Sequence, residues 1–170
     1  INYTLPTLMD DLSVAVSYSP SGTAVESSTA YGVTYTGVEG LSVSYGAGEA
    51  ASTTALLQGD LTTMKASYAI GSFTAAYSNT ESDLTTGTDE ELSSFKLSYT
   101  VTDDLSISYG EETHETSGST VDEEFDAISV SYTTGGMTIT AAQYNATGLA
   151  NTAGAANEAA RWKLGASFAF

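Results

Sequence analysis

The chain has 170 residues, a formal net charge of −17, no cysteine and only two prolines, with 16 glycines and 11 tyrosines. One domain is expected at this length, and the acidic balance argues against nucleic-acid binding, which needs clustered lysine and arginine. No run of about 18 apolar residues occurs, so a membrane-spanning helix is excluded.

Apolar and small polar residues alternate along most of the chain, as in Leu105-Ser106-Ile107-Ser108-Tyr109. This period of two predicts β-strands with one apolar face and one polar face. We therefore expect an all-β fold in a single domain over residues 1–170. The eleven predicted strands lie near residues 1–5, 12–19, 29–36, 41–47, 62–70, 72–79, 92–101, 105–111, 124–133, 137–144 and 160–170.

The predicted connections alternate strictly between short and long. Short ones fall at 6–11, 37–40, 71, 102–104 and 135–136, and long ones near 20–28, 48–61, 80–91, 112–123 and 145–159. This parity is typical of an antiparallel up-and-down transmembrane β-barrel of the bacterial outer membrane, with tight periplasmic turns and long extracellular loops. Because the last strand follows a long loop, we expect the C-terminus on the periplasmic side.

The last strand is a strongly amphipathic segment that finishes on an aromatic residue. Its apolar positions alternate with Arg161 and Lys163, and they are Trp162, Leu164, Ala166, Phe168 and Phe170. In a soluble protein these aromatic side chains would face water at a sheet edge. In a bilayer they would face lipid while the polar positions face a wet interior.

Aromatic residues cluster at both ends of the predicted strands, on their apolar face. This placement predicts the two aromatic girdles of a membrane barrel, although tyrosine is also simply a common strand residue. The girdle at the long-loop ends would contain Tyr18, Tyr45, Tyr77 and Tyr109. The girdle at the short-turn ends would contain Tyr35, Tyr68, Tyr99, Tyr132 and Phe168.

All four basic residues, which are Lys65, Lys96, Arg161 and Lys163, lie on the polar face of their strands. Two interpretations stay open at this point. They either line a pore and shape its field, or they neutralise nearby carboxylates in an acidic barrel.

The carboxylates are concentrated in the predicted loops, in runs such as Asp89-Glu90-Glu91 and Asp122-Glu123-Glu124. They could form a solvated loop surface, bridge to anionic lipid through divalent cations, or give a vestibule with a mild preference for cations. No calcium-loop pattern is present, and we expect no metal site.

Catalytic motifs are absent from the sequence. His114 is the single histidine and falls in a predicted loop, without a nucleophile elbow or a fixed partner. Phosphate-cradling glycine loops and Cys/His metal spacings are also missing. We expect neither an enzyme nor a cofactor.

Two aromatic residues do not fit the strand pattern. Phe125 shares its parity with Ser129 and Ser131, and Tyr144 is out of phase with Met137 and Ile139. Bulges near the rim could cause either departure.

The repeated strand motifs of this chain resemble those of general porins of Gram-negative bacteria, and more narrowly those of marine alphaproteobacteria. The resemblance is carried by 41–45, 105–109, 128–139 and 164–170. It implies a sixteen-stranded homotrimeric barrel that passes small hydrophilic solutes and sits among outer-membrane lipid and lipopolysaccharide. The terminal Phe170 resembles the signal that the barrel-assembly machinery recognises.

The chain departs from that pattern because its strands are too few and their number is odd, whereas bacterial barrels have even numbers. We therefore expect the C-terminal part of a longer porin, with a complete ten- or twelve-stranded barrel as the alternative. The leading function is passive diffusion of ions and solutes through a pore. A non-conducting anchor with an adhesive or phage-accessible surface is the runner-up, and loop parity disfavours a soluble β-sandwich adhesin.

Overall fold

A computed structural model of the chain describes residues 1–5, 10–22, 26–50 and 58–169, and they form one antiparallel sheet. Each strand pairs with its neighbours in sequence, so the order from β1 to β11 is a simple up-and-down meander. The strands are β1 (Asn2–Thr4), β2 (Leu12–Ser19), β3 (Ser28–Tyr35), β4 (Leu41–Ala50), β5 (Gly59–Ile70), β6 (Phe73–Leu84), β7 (Glu90–Thr102), β8 (Leu105–Thr116), β9 (Glu123–Thr134), β10 (Met137–Thr147) and β11 (Ala159–Phe168).

The eleven predicted strands are confirmed, but several are longer than their apolar pattern. β6 extends to Leu84, β7 begins at Glu90 and β8 extends to Thr116. The predicted loops at 80–91 and 112–123 were therefore wrong over at least half of their length. Backbone pairing continues here although the apolar alternation has ended, because a ladder needs hydrogen bonds rather than a buried face.

Strict alternation of loop length was also wrong. The connection between β6 and β7 covers 85–89 and is no longer than the one between β3 and β4 at 36–40. The two ends of the sheet differ instead in the length of the strands. At the predicted long-loop ends, β5 to β9 continue beyond their apolar positions. Three of the described connections have only two residues, at 71–72, 103–104 and 135–136. In the last of them, Gly135 and Gly136 both have positive φ (54° and 80°), as a two-residue hairpin with the native twist requires.

Bulges, the cause considered for the parity of Phe125 and Tyr144, do not occur at these residues. The ladders between β8 and β9, between β9 and β10, and between β10 and β11 pair residue for residue without a register shift. The irregularity in the β7–β8 ladder lies elsewhere, between Thr100 and Thr102. Phe125 and Tyr144 therefore keep the parity of their strands and stand on the polar face.

The sheet has no apolar core of its own. Among the described residues, Ala142 is the one buried apolar side chain, at 6% exposure. β1 and β11 each have one neighbouring strand in the described ranges, and at the β11 edge Trp162 and Leu164 are 73% and 79% exposed. A contiguous exposed apolar face is typical of a surface that contacts another protein or a membrane.

The connection from β10 to β11 contains two short 3₁₀ turns, at Leu149–Asn151 and Ala155–Asn157. No helix in the described part of the chain is long and apolar enough to cross a membrane.

Candidate functional site

The cross-strand register assigns every side chain of the sheet to one of two faces, because directly opposed residues in an antiparallel ladder point to the same side. The polar face can be followed along one row across five strands. Lys96 opposes Gly110, and the row continues through Ala127, Tyr144 and Arg161.

The register places all four basic residues on this polar face. Lys65 opposes Ser44 and Ser78, while Lys163 opposes Ala142 in the row next to that of Arg161. Lys65 and Lys96 border one hollow of about 440 Å³. In the described ranges the ion pairs within 4 Å all belong to His114, so none of the four cations is held by a carboxylate. This geometry does not favour the neutralising interpretation, and it leaves the charges open to solvent.

Hydroxyl pairs connect neighbouring strands on the polar face. Ser78 and Ser94 lie 2.8 Å apart between their Oγ atoms, and Ser108 and Ser129 lie 2.7 Å apart. Opposed hydroxyls on adjacent strands satisfy each other, so this face is polar without carrying a large charge. Such a surface is suited to contact with water.

The apolar face carries all the predicted girdle residues, and the short-turn set lies along an inclined line. Tyr68 on β5 is level with Leu97 on β7, two residues from Tyr99. The same two-residue step toward the short turns separates Tyr35 from Tyr68, Tyr99 from Tyr132, and Tyr132 from Phe168.

This stagger gives the inclination of the strands. Two residues of strand rise over two interstrand spacings correspond to an angle of about 35° between the strands and the normal to the aromatic line. Tyr45, Tyr77 and Tyr109 at the long-loop ends follow the same step. Strands inclined by this angle from the normal to an aromatic band are typical of the wall of a transmembrane barrel.

Most strand carboxylates lie on the apolar face too, immediately beyond the long-loop girdle. Glu111, for example, follows Tyr109 by two residues on β8 and is level with Asp126 on β9. The full outward band consists of Glu49, Asp60, Glu81, Asp83, Glu91, Glu111, Glu115, Glu124 and Asp126. On the polar face the strand carboxylates of the described residues are Glu90, Glu112 and Glu123. The net charge of the chain is thus distributed mainly away from the polar face.

His114 lies in β8 and not in a loop, so the expectation of a solvated loop histidine was wrong. Its Nδ1 is 3.2 Å from Glu123 Oε2 on β9, and its Nε2 is 3.7 Å from Glu90 Oε2 on β7. The backbone N–H of Ala150 donates to Glu123 Oε1 at 2.7 Å. Glu123 therefore joins β8 to the connection between β10 and β11, beyond the girdle.

These contacts affect the titration of Glu123. The hydrogen bond with His114, and next the N–H of Ala150, hold the pKa of the Glu123 carboxyl below its ordinary value. Within the described ranges no three His, Asp or Glu side chains converge on one point in a way that could hold a metal ion. The arrangement is a structural clamp between strands.

A recess on the polar face was missed by sequence reasoning. Phe125 and Tyr144 are diagonal neighbours, since Phe125 opposes Ala146 and Tyr144 opposes Ala127. The Arg161 guanidinium carbon lies 5.3 Å from the centre of the Tyr144 ring. The recess has a volume of about 630 Å³ and its border includes Lys96 and Glu112. The signal available in the sequence was the parity of the two aromatic residues, which put them in phase with the polar positions of their strands.

Phe170, the predicted assembly signal, lies outside the described residues. The girdle and basic residues are all placed as described above.

Comparison with known proteins gives a family match over the whole chain. A family model described as Gram-negative porin matches residues 1–170. No curated protein matched the sequence significantly.

Solved structures are similar in fold at low sequence identity. A porin refined at 1.8 Å resolution is 16% identical and has a TM-score of 0.73, with 99% of this chain and 60% of that porin covered. OmpT, an outer-membrane protein of Vibrio cholerae, is similar in its in-vitro folded form (19% identity, TM-score 0.56) and in its outer-membrane expressed form (18%, 0.57). Both comparisons cover 86% of this chain, and 52% and 53% of the OmpT chains. The chain thus spans about 60% of the length of the first of these porins.

Proposed function

The chain belongs to the family of Gram-negative porins, and from this premise we propose that the protein forms a water-filled outer-membrane channel for passive diffusion of ions and small hydrophilic solutes. The observation that carries the proposal is the division of the sheet into two faces. One face presents hydroxyls and unpaired cations, and the other presents apolar side chains between two inclined aromatic lines. A channel wall needs both properties on the same strands.

The eleven strands would form part of the wall of a larger closed barrel. Both sheet edges in the described ranges lack a second neighbour, and exposed edges of this length are unfavourable in a membrane. A sixteen-stranded barrel with residues 1–170 as its C-terminal part would pair both edges and agrees with the 60% coverage of the similar porin.

The proposed orientation follows from the two ends of the strands. Tight turns such as Gly135-Gly136 would lie on the periplasmic side together with the C-terminus, where Phe170 would act as the signal to the barrel-assembly machinery. The strand ends that carry the outward carboxylate band would project into the lipopolysaccharide layer. The assembled protein would be a homotrimer, which cross-linking in native membranes tests by the mass of the linked species.

Reconstitution of the whole protein into planar bilayers tests the channel directly. We expect discrete single-channel steps whose conductance rises in proportion to the salt concentration, as for ions in a wide aqueous pore. Insertion without any conductance steps, in protein that shows heat-dependent gel mobility typical of a folded barrel, would contradict the proposal.

The basic residues would contribute to the field inside this channel. The vestibule with a mild cation preference, one interpretation of the clustered carboxylates, loses support, because most of the strand carboxylates lie on the outward face while all four cations lie on the polar face. Replacement of Lys96 by glutamate should shift the reversal potential in a salt gradient toward cations. The matched control Glu91→Lys, on the outward face of the same strand, should leave it nearly unchanged.

The runner-up function is a non-conducting anchor whose carboxylate-rich strand ends serve as an adhesive or phage-accessible surface. The observation that favours it is the extension of β6 to β9 beyond the girdle. The bilayer experiment separates the two functions, because both give a folded barrel and only the first gives conductance. Family membership favours a channel over an enzyme.

A further inference from the structure

The polar face changes character between its two halves. From β1 to β8 its strand residues are mainly serine, threonine, glycine and alanine with Lys65 and Lys96, as is usual for a surface in contact with water. In the strands of the described ranges, Phe125 and Tyr144 are the aromatic residues on this face. Because the ladders are continuous, no bulge turns the two rings toward the apolar side. The strand pattern therefore does not explain two aromatic rings on the polar face, and a role in binding would.

Small residues around the two rings leave space beside them. Tyr144 opposes Ala127, Phe125 opposes Ala146, and Ala127 opposes Gly110 on the next strand. Glycine and alanine thus occupy the positions next to the two rings. The resulting recess of about 630 Å³ is within the range of small-molecule sites, and it is large enough for one ring with a substituent.

The charged groups of the recess are placed asymmetrically. Arg161 covers Tyr144 at 5.3 Å, and no carboxylate within the described ranges lies within ion-pair distance of its guanidinium. Glu112 opposes Phe125 at the other side. An anionic group is therefore favoured near Arg161 and disfavoured near Phe125, so a bound solute would be held in one orientation.

The level of the recess puts it at the long-loop end of the wall. Phe125 is level with Glu112, which lies three residues beyond the girdle residue Tyr109 on β8. A solute entering from that side would meet the recess before it reached the part of the wall between the girdles.

We propose that this recess is a binding subsite for a small solute in which a flat ring carries a carboxylate group. The ring would pack against Phe125 and Tyr144 in the offset or edge geometry that aromatic pairs prefer. The carboxylate would accept two parallel hydrogen bonds from the Arg161 guanidinium, which is the geometry that arginine provides and lysine does not. The subsite rests on the proposed channel only for its role as a capture point at the entrance.

Equilibrium binding to the detergent-solubilised whole protein tests the subsite without any need for conduction. Benzoate is the ligand, acetate supplies the carboxylate alone, and benzyl alcohol supplies the ring alone. Saturation-transfer NMR or calorimetry should show that benzoate binds more tightly than either fragment, and competition should place all three at one site.

Two variants test the carboxylate contact and the ring contact separately. Arg161→Gln should weaken benzoate about tenfold, as for the loss of one charge-assisted interaction, and should leave benzyl alcohol nearly unchanged. Phe125→Leu should weaken benzoate and benzyl alcohol together by about fivefold and spare acetate. Lys65→Gln is the matched control, because it removes the same charge from the same face on β5, outside the recess.

The subsite is overturned if benzoate binds no more tightly than acetate, or if Lys65→Gln weakens benzoate as much as Arg161→Gln does. Heat-dependent gel mobility of each variant establishes that it is folded, so a loss of binding is not a loss of the barrel. Conductance without benzoate binding would remove the subsite and keep the channel. Benzoate binding without conductance would keep the subsite and remove the channel.

Discussion

Ile107 and Ser108 are adjacent in β8, and yet they belong to two surfaces with different requirements. Ile107 is level with Tyr99 and Val130 on the apolar face, while Ser108 donates or accepts a hydrogen bond with Ser129 on the polar face. Within the belt the apolar face repeats nearly the same pattern on every strand, since every position there must be compatible with lipid. The polar face varies from strand to strand, because water tolerates serine, lysine or an aromatic ring. Regularity thus marks the membrane-facing surface, and variation marks the surface that can carry function.

The largest effect is expected from moving a charge between the two faces at the same depth. Ile107→Arg puts a guanidinium on the apolar face near the centre of the belt and should lower the free energy of unfolding from lipid by about 2–4 kcal/mol. Ser106→Arg, one residue away on the polar face, should change it by well under half of that. Chemical denaturation of the protein refolded into lipid vesicles measures both, and equal losses would contradict the assignment of the faces.

A smaller effect is expected at the β9–β10 turn. Gly136 has a φ of 80°, and an added Cβ would lie 3.2 Å from the carbonyl oxygen of Ala169. Gly136→Ala should therefore cost about 1–2 kcal/mol, the usual penalty for a non-glycine residue in the left-handed region. The control Gly22→Ala has open space and an ordinary φ, so the same vesicle assay should show little change. A neutral Gly136→Ala would mean that the turn is not held in this conformation.

The smallest effect concerns the clamp at Glu123, which lies beyond the girdle. Because His114 and the Ala150 N–H hold the Glu123 pKa below its ordinary value, the clamp is complete above the ordinary glutamate range and is lost as the pH falls through the lowered pKa. Hydrogen exchange at the Ala150 amide, corrected for the intrinsic pH dependence, should accelerate on acidification. Glu123→Gln should remove this dependence and Glu124→Gln, on the opposite face, should keep it.

The strand count and the separation of the faces could be predicted from the sequence because lipid imposes a strict period of two on the apolar side. The predictions failed where that constraint ends. Along 111–116 both faces lie beyond the belt, so the apolar alternation disappears although backbone pairing continues to Thr116. His114 was placed in a loop for this reason, and its partners on β7 and β9 depend on cross-strand register, which the sequence of one strand does not contain.

The recess was missed for a related reason. An aromatic residue at a polar position of the alternation has two explanations. Either the register shifts at a bulge, or the ring lies on the polar face, and only the cross-strand pairing distinguishes the two. The continuous pairing of Phe125 with Glu112 and Ala146 decides for the second. Gly110 and Ala127, which make space beside the rings, carry no periodic signal and gain meaning only when the strands are aligned.

The separation of the faces is the central claim, and the absence of native cysteine allows a direct measurement. Lys96→Cys and Leu97→Cys place single thiols one residue apart on β7, on the polar and the apolar face. In lipid vesicles, a charged, water-soluble methanethiosulfonate reagent should modify the thiol at position 96 rapidly and the thiol at position 97 at least tenfold more slowly, while detergent-unfolded protein should react equally at both. Equal rates in the membrane, or faster modification at position 97, would contradict a wet polar face and a lipid-covered apolar face.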